Sequence, residues 1–150
     1  MNRVIGDFKA AATGDKIVNL KDLRGKNVVI YFYPKDSTPG CTTEGRDFSA
    51  LHAQFGRQNT VIFGVSRDSI ASHEKFREKQ GFKFSLLSDP DEVLCRKFDV
   101  IHEKTLYGRK FMGIVRSTFL IDADGKLRQE WRGVKVKGHA EEVLEAVKAL

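Results

Sequence analysis

The chain has 150 residues, of which 41% are hydrophobic and 31% are charged, and its formal net charge at pH 7 is +6. This size and composition predict one globular domain spanning residues 1–150 and exclude an intrinsically disordered chain. No apolar run is long enough to cross a bilayer, and two cysteines are too few for a scaffold held by disulfides. The N-terminus lacks the basic and apolar segments of a signal peptide, so we expect a cytoplasmic protein without membrane attachment.

The basic residues do not form the continuous patch that a nucleic-acid site requires. They are mixed with acidic and apolar residues, as in RKFDVIHEKTLYGRK, and zinc-finger, RNA-binding and arginine-rich motifs are missing. The four histidines are dispersed along the chain and form no zinc-binding pattern with the cysteines. Glycine loops that cradle phosphates and flavin-binding motifs are missing as well. We therefore expect no nucleic-acid partner, no metal and no organic cofactor.

Short runs rich in β-branched and aromatic residues predict three strands that are buried on both faces. These runs are NVVIYFY (27–33), TVIFGVS (60–66) and FSLLS (84–88). After the first run, CTTEGRDFSALHAQFG carries apolar residues at helical spacing, which predicts a helix from Cys41 to Gly56. After the second run, SIASHEKFREKQG predicts a charged surface helix that ends at a glycine.

The second half of the chain predicts a short helix, a hairpin and a terminal helix. In SDPDEVLCRKF, Asp89 is the expected N-cap, Pro90 the first helical residue and Glu92 the partner in a capping box. The DADG turn between STFLI and LRQEW predicts a β-hairpin, and GHAEEVLEAVKAL predicts the last helix. Strands that alternate with helices predict an α/β protein with a thioredoxin-like fold, in which helices flank a mixed, mostly parallel central sheet.

Cys41 lies where a predicted strand ends and a predicted helix begins, in YPKDSTPGCTTE, and four roles are open to it. It can be a small buried residue, half of a disulfide, a metal ligand or a nucleophile. Free backbone N–H groups at a helix start favour the thiolate, which is the nucleophilic form of cysteine. Pro34 restricts the preceding loop, and Thr38 places a hydroxyl three residues before the sulfur. Glu44, one turn along the helix, can orient a cation.

The segment PKDSTPGC matches the peroxiredoxin active-site pattern P-x-x-x-T-x-x-C, with Pro34, Thr38 and Cys41 in register. FYPKDSTPGCTTEGRDF resembles more specifically the bacterioferritin-comigratory, or peroxiredoxin Q, subgroup. The resemblance continues through VSRDSIASHEKF, LLSDPDEVLCRKFDV and YGRKFMGIVRSTFLID. It implies a thiol-dependent peroxidase that reduces hydrogen peroxide and small organic hydroperoxides. Cys41 is then the peroxidatic cysteine, and Thr38 hydrogen-bonds the peroxide. Arg116 is implied to reach the pocket, where Glu44 helps to hold it.

Reaction with peroxide would leave Cys41 as a sulfenic acid, which a second thiol must reduce. Many relatives carry that thiol at one of two places, which correspond here to Arg46 and Arg77. The other cysteine, Cys95, lies beside an apolar residue in a short predicted helix, which is typical of a buried, inert thiol. We therefore expect a one-cysteine cycle in which an external thiol reduces the sulfenic acid. That reductant is a small thiol or a protein of the thioredoxin or glutaredoxin type.

Two other functions remain open at this point, and a third is disfavoured. A two-cysteine cycle with Cys95 as the resolving residue is one, and a non-catalytic binding or holdase module that has kept the fold is the other. A thioredoxin-like disulfide oxidoreductase is disfavoured, because Thr42, Thr43 and Glu44 follow Cys41 and leave no C-x-x-C pattern. The short termini, without a long C-terminal extension, favour a monomer.

Overall fold

The computed structural model describes residues 2–150, which form nine β-strands and five α-helices. The strands are β1 (Lys9–Ala12), β2 (Lys16–Asn19), β3 (Asn27–Phe32), β4 (Thr60–Ser66), β5 (Ser85–Ser88), β6 (Ile101–Leu106), β7 (Arg109–Ile114), β8 (Ser117–Ile121) and β9 (Leu127–Arg132). The helices are α1 (Pro39–Ala50), α2 (His52–Arg57), α3 (Ile70–Gln80), α4 (Val93–Lys97) and α5 (His139–Lys148), and a 3₁₀ helix spans Leu20–Leu23. In this part of the chain, no helix combines the length and the apolar character needed to cross a membrane.

The predicted α/β arrangement is confirmed, with a seven-stranded mixed sheet in the order β2-β1-β5-β4-β3-β8-β9. The three central strands, β5, β4 and β3, run parallel, because helices carry the chain back between them. The outer strands β1, β2, β8 and β9 pair antiparallel with their neighbours. The description "mostly parallel" therefore holds for the centre of the sheet and not for its edges.

The first long helix differs in its bounds from the sequence prediction. It begins at Pro39, two residues before Cys41, and it is divided at Leu51 into α1 and α2. The N–H of Leu51 bonds the carbonyl of Phe48, three residues back, which tightens the backbone at this point. Helix α2 ends at Arg57, one residue beyond the predicted stop.

The short helix α4 also begins later than predicted, at Val93 instead of Pro90. The chain enters it through Glu92, whose φ of 62° is left-handed and cannot belong to a helix. Asp89 still caps the helix, since its carboxylate accepts hydrogen bonds from the backbone N–H groups of Leu94 and Cys95. The capping box is wrong in detail, because Glu92 instead binds two arginine side chains.

The sheet separates two apolar cores, and alternate residues of β3 point into opposite ones. Val28, Ile30 and Phe32 face the core that contains α4, which we call the α4 face. Val29 and Tyr31 face the core covered by the other four helices, which we call the α1 face. The α4 face is lined by residues that include Phe8, Leu94, Cys95, Phe98 and Phe119. The α1 face is lined by residues that include Cys41, Phe48, Phe55, Phe76 and Val143.

Strands β6 and β7 form a separate hairpin that the sequence analysis did not predict. It exposes four large apolar side chains, those of Leu106, Tyr107, Phe111 and Met112. The hairpin ends at Ile114, and the chain then re-enters the main sheet at β8. This return path places Arg116 between the hairpin and the sheet.

Candidate active site

Cys41 is the third residue of α1, with its side chain buried on the α1 face of the sheet. The helix begins where β3 and its following loop end, and Pro39 occupies its first position, where a proline costs no hydrogen bond. Only 2% of Cys41 is exposed. The thiol therefore lies at a helix N-terminus, almost completely shielded from solvent.

Arg116 connects the carboxylate of Glu44 to the thiol of Cys41 through its two terminal nitrogens. Its Nη1 donates to Oε1 of Glu44 at 2.6 Å, and its Nη2 donates to Sγ of Cys41 at 3.4 Å. Gly40 makes this approach possible, because a Cβ at position 40 would lie 3.1 Å from Nη2 of Arg116. The structure thus brings Arg116 to Cys41 and Glu44, from which it is distant in the sequence.

Thr38 and Pro34 lie in the loop that leads into α1. Thr38 is the residue before the helix, but its hydroxyl makes no capping bond and instead donates to the carbonyl of Lys35 at 2.8 Å. Because this bond uses the hydroxyl proton, the oxygen remains available as an acceptor for an O–H group. Pro34 follows β3 directly and is half-buried at the start of the loop.

Glu44 is a buried carboxylate with a hydrogen-bond partner on only one of its two oxygens. It is 1% exposed, and its Oε2 has no hydrogen-bond partner among the described residues. Burial raises the pKa of Glu44 to about 7, although the guanidinium of Arg116 opposes the shift. The carboxyl group therefore titrates near neutral pH, next to the arginine that contacts the thiol.

This raised pKa predicts that substitution of Glu44 changes how stability depends on pH. Between its ordinary value of 4.5 and about 7, the folded chain holds a proton on Glu44 that the unfolded chain releases. The free energy of unfolding of the wild type should therefore fall across this window as pH rises, by about 3 kcal/mol from this group alone. The glutamine of Glu44→Gln does not titrate, so this variant does not lose that stability. As pH rises, its free energy of unfolding should converge on or exceed that of the wild type, which urea titrations at a series of pH values would measure.

The exposed Glu103, which lies 3.8 Å from Lys110, provides the matched control for this measurement. Glu103→Gln should follow the wild-type curve. Parallel curves for Glu44→Gln and the wild type across the window would contradict the raised pKa of Glu44.

Cys95 lies in α4, on the opposite side of the sheet from Cys41. It is 0% exposed, and both cysteines are free thiols. Burial, with the nearby carboxylate of Asp89, raises the pKa of Cys95 well above its ordinary value. A thiol in this environment is a poor nucleophile, and the central strands lie between it and Cys41.

The two positions at which the family resemblance implies a second thiol carry arginines with different surroundings. Arg46 is exposed on α1, and Arg77 is half-buried on α3. The Nε of Arg77 donates to the carbonyl of Phe84 at 2.8 Å, which ties α3 to the start of β5. Neither position offers a sulfur that could reduce Cys41.

Behind the loop of Thr38 lies a buried polar cluster that the sequence analysis missed. Ligand atoms of Asp36, Asp68 and His73 lie within 4.8 Å of one another, which is close enough for a metal site. Hydrogen bonds within the protein already occupy these atoms. The carboxylate of Asp36 binds three side chains, those of Tyr33, Ser72 and His73. The carboxylate of Asp68 accepts from the backbone N–H of Asp36. We therefore describe the cluster as a hydrogen-bond network. No local sequence pattern links residues 36 and 73, so only the folded chain reveals it.

His139 lies at the start of α5, beside β8. It is the first residue of α5, it is buried, and its Nε2 lies 2.8 Å from Oγ1 of Thr118. Burial lowers the pKa of His139 below its ordinary value. The ring therefore belongs to the packing between α5 and β8.

Comparison with known proteins identifies the family. The family model described as AhpC/TSA matches residues 1–130 of this chain. The chain belongs to the AhpC/TSA peroxiredoxins. Peroxiredoxin Bcp of Xanthomonas campestris is 55% identical over 143 residues, which cover 95% of this chain and 89% of that protein. The predicted Bcp, or peroxiredoxin Q, subgroup is therefore confirmed, and this peroxiredoxin is a thiol-dependent peroxidase.

Solved structures of the same subgroup share the fold closely. The bacterioferritin comigratory protein of X. campestris, solved in work on its alkyl peroxide reduction activity, is 54% identical to this chain. The match covers 95% of this chain and 90% of that chain, with a TM-score of 0.91. Two cysteine-to-serine variants of X. campestris peroxiredoxin Q are 51% and 50% identical to this chain, both with a TM-score of 0.93. Each match covers 99% of this chain, and the matches cover 99% and 98% of the respective variant chains. The spacing of the two substituted cysteines equals that of Cys41 and Arg77 here. An arginine in this peroxiredoxin thus stands at the spacing of that relative's second cysteine.

Proposed function

We propose that this peroxiredoxin reduces hydrogen peroxide and small organic hydroperoxides with Cys41 as its nucleophile, in a one-cysteine cycle. The observation that carries the proposal is the placement of the two thiols. Cys41 lies at a helix start beside Arg116, whereas Cys95 is buried on the other side of the sheet. The alkyl peroxide reduction activity of the X. campestris relative supports organic hydroperoxides as substrates.

The reaction begins with attack of the Cys41 thiolate on one oxygen of the peroxide. A sulfur–oxygen bond forms as the O–O bond breaks, which leaves a sulfenic acid and releases water or an alcohol after protonation. The oxygen of Thr38 accepts the hydrogen bond of the hydroperoxide and holds it in line with the sulfur. Arg116 and the N–H groups at the start of α1 stabilise the negative charge as it moves to the departing oxygen.

An external thiol then reduces the sulfenic acid. Its sulfur forms a mixed disulfide with Cys41 and water leaves, and a second thiol releases the Cys41 thiolate by disulfide exchange. A small thiol or a thioredoxin- or glutaredoxin-type protein is the proposed reductant, acting on a monomeric peroxiredoxin. A disulfide between Cys41 and Cys95 would need Cα atoms about 4.4–6.8 Å apart, which two residues on opposite faces of a sheet do not reach without unfolding.

Intact mass spectrometry after one equivalent of hydrogen peroxide tests the cycle. We expect the protein mass to rise by one oxygen, with the modification on Cys41 and the Cys95 thiol still present. A loss of two hydrogens, with a peptide that links Cys41 to Cys95, would instead establish a two-cysteine cycle. An unchanged mass and an unchanged thiol count would reject Cys41 as a peroxide-reactive residue.

A further inference from the structure

The loop that carries Thr38 is fixed to the rest of the protein through Asp36. Asp36 is 6% exposed, and its carboxylate accepts hydrogen bonds from Tyr33 at 2.7 Å, Ser72 at 2.8 Å and His73 at 2.7 Å. Its backbone N–H donates to Asp68 at 2.9 Å. These bonds connect the loop to Tyr33 directly after β3, to the segment after β4 and to α3. Four separate contacts on one residue leave the loop little freedom to move.

The ring of His73 extends this connection to the centre of the sheet. His73 is 0% exposed, its Nδ1 faces Asp36, and its Nε2 lies 2.8 Å from the carbonyl of Leu87 in β5. A carbonyl cannot donate, so Nε2 must carry a proton, and Nδ1 faces a carboxylate that already accepts two other bonds. Burial raises the pKa of Asp36, but the hydrogen bonds from His73 and Tyr33 outweigh it and lower the pKa overall. One proton therefore lies between Oδ2 of Asp36 and Nδ1 of His73, and it holds the two side chains together.

The backbone next to Asp36 needs such a restraint. Ser37 has a φ of 62°, a left-handed conformation that residues other than glycine adopt at an energetic cost. Ser37 lies directly between Asp36 and Thr38. A strained residue persists only where its neighbours hold it, and on one side that support is the Asp36 network.

We propose that the buried Asp36–His73 pair is a positioning device for the peroxide pocket, which fixes Thr38 relative to Cys41. Neither residue of the pair hydrogen-bonds the thiol or Arg116, so the pair acts through the loop geometry. This inference rests on the proposed role of Cys41 and Thr38 in peroxide reduction. It differs from a general stabilising role, because its effect is specific to reactions that need an aligned peroxide.

The variant His73→Gln tests the device, since one amide group cannot bridge the carboxylate of Asp36 and the carbonyl of Leu87 as the two ring nitrogens do. Two rate constants of Cys41 are measured, one for hydrogen peroxide and one for iodoacetamide, with Cys41 followed in its own peptide by mass spectrometry. Alkylation requires only an accessible thiolate, whereas peroxide must also be aligned by the loop. We expect the peroxide rate constant to fall at least about tenfold and the iodoacetamide rate constant to stay the same.

The chain provides a matched control in a second histidine–aspartate pair. Nε2 of His102 lies 3.3 Å from Oδ1 of Asp99, and both side chains are exposed. His102→Gln should change neither rate constant. If His73→Gln does not fold, Tyr33→Phe removes a single hydrogen bond to Asp36, and we expect it to lower the peroxide rate constant about threefold.

Each result decides between the alternatives. Unchanged peroxide reactivity in a folded His73→Gln protein would overturn the proposal, as would an equal fall in both rate constants. A wild-type Cys41 that does not react with peroxide would reject the proposed function itself, independently of the variant. Nitrogen-15 NMR gives a readout that is independent of stability, because the bond to the carbonyl of Leu87 requires a proton on Nε2 of His73. A ring without a proton on Nε2 would break the link to Leu87 and would also overturn the proposal.

Discussion

Replacing Cys41 by serine should reduce peroxide turnover to the uncatalysed background, whereas replacing Cys95 by serine should leave it within about twofold of the wild type. A serine hydroxyl is not ionised at neutral pH, so the helix start and Arg116 would have no nucleophile to activate. Cys95 contributes only packing on the α4 face in the proposed cycle, and serine there can still donate to the adjacent Asp89. Consumption of hydrogen peroxide in the presence of dithiothreitol measures both variants.

The two substitutions form a matched pair, because each replaces one buried sulfur by one oxygen. Thermal unfolding of both variants controls for the cost of placing a hydroxyl in an apolar core. Without dithiothreitol, one equivalent of peroxide would show that Cys95 resolves the sulfenic acid if the wild type forms a Cys41–Cys95 disulfide and Cys95→Ser retains a sulfenic acid on Cys41. Full turnover by Cys41→Ser would place the reactive centre elsewhere in the chain.

The central strands could be predicted from the sequence because they are buried on both faces. NVVIYF and TVIFGVS are continuous apolar runs, and they form β3 and β4 at almost the predicted bounds. The edge strands are different, since β1 consists of Lys9 and three alanines, which have no strand preference. It is a strand because it pairs with β2 and β5, which is a tertiary effect that no local pattern records.

The hairpin of β6 and β7 escaped prediction for a related reason. Its residues are mostly exposed, so the alternation of buried and exposed side chains that normally identifies a strand is weak there. Its turn at Tyr107 and Gly108 has two positive φ values, and only the glycine is a usual residue for such a turn. This hairpin matters for the site, because it determines where Arg116 enters the sheet.

The parts of the site differ in how far the sequence could predict them. Cys41 and Glu44 lie three residues apart on one helix, so their proximity follows from helical geometry alone. Arg116 is 75 residues from Cys41, and family resemblance was the only sequence signal for it. The pair of Asp36 and His73 had no such signal, and its existence depends on how α3 packs against the loop after β3.

Replacing Arg116 by lysine should lower the rate constant for peroxide about 100-fold, even though the positive charge is kept. The guanidinium contacts Glu44 through one nitrogen and Cys41 through another, at 2.6 and 3.4 Å. A lysine ammonium is a single point, so it would satisfy the buried carboxylate of Glu44 and leave the reacting sulfur without its donor. Stopped-flow measurement of Cys41 oxidation, with the iodoacetamide rate constant in parallel, separates peroxide activation from thiolate formation.

Arg128 is the matched control, because it also pairs with a carboxylate, Asp122 at 3.2 Å, but lies on the outer strand β9. Arg128→Lys should react with peroxide at the wild-type rate. If the peroxide rate constant of Arg116→Lys falls less than about threefold, positive charge alone suffices at this position. The simultaneous contact with Glu44 and Cys41 is then not needed. If the peroxide and iodoacetamide rate constants fall equally, Arg116 acts on the thiolate and not on the departing oxygen. The expected result, a much larger fall with peroxide, requires a donor that reaches the sulfur and the breaking O–O bond together, which the geometry at Glu44 permits only for arginine.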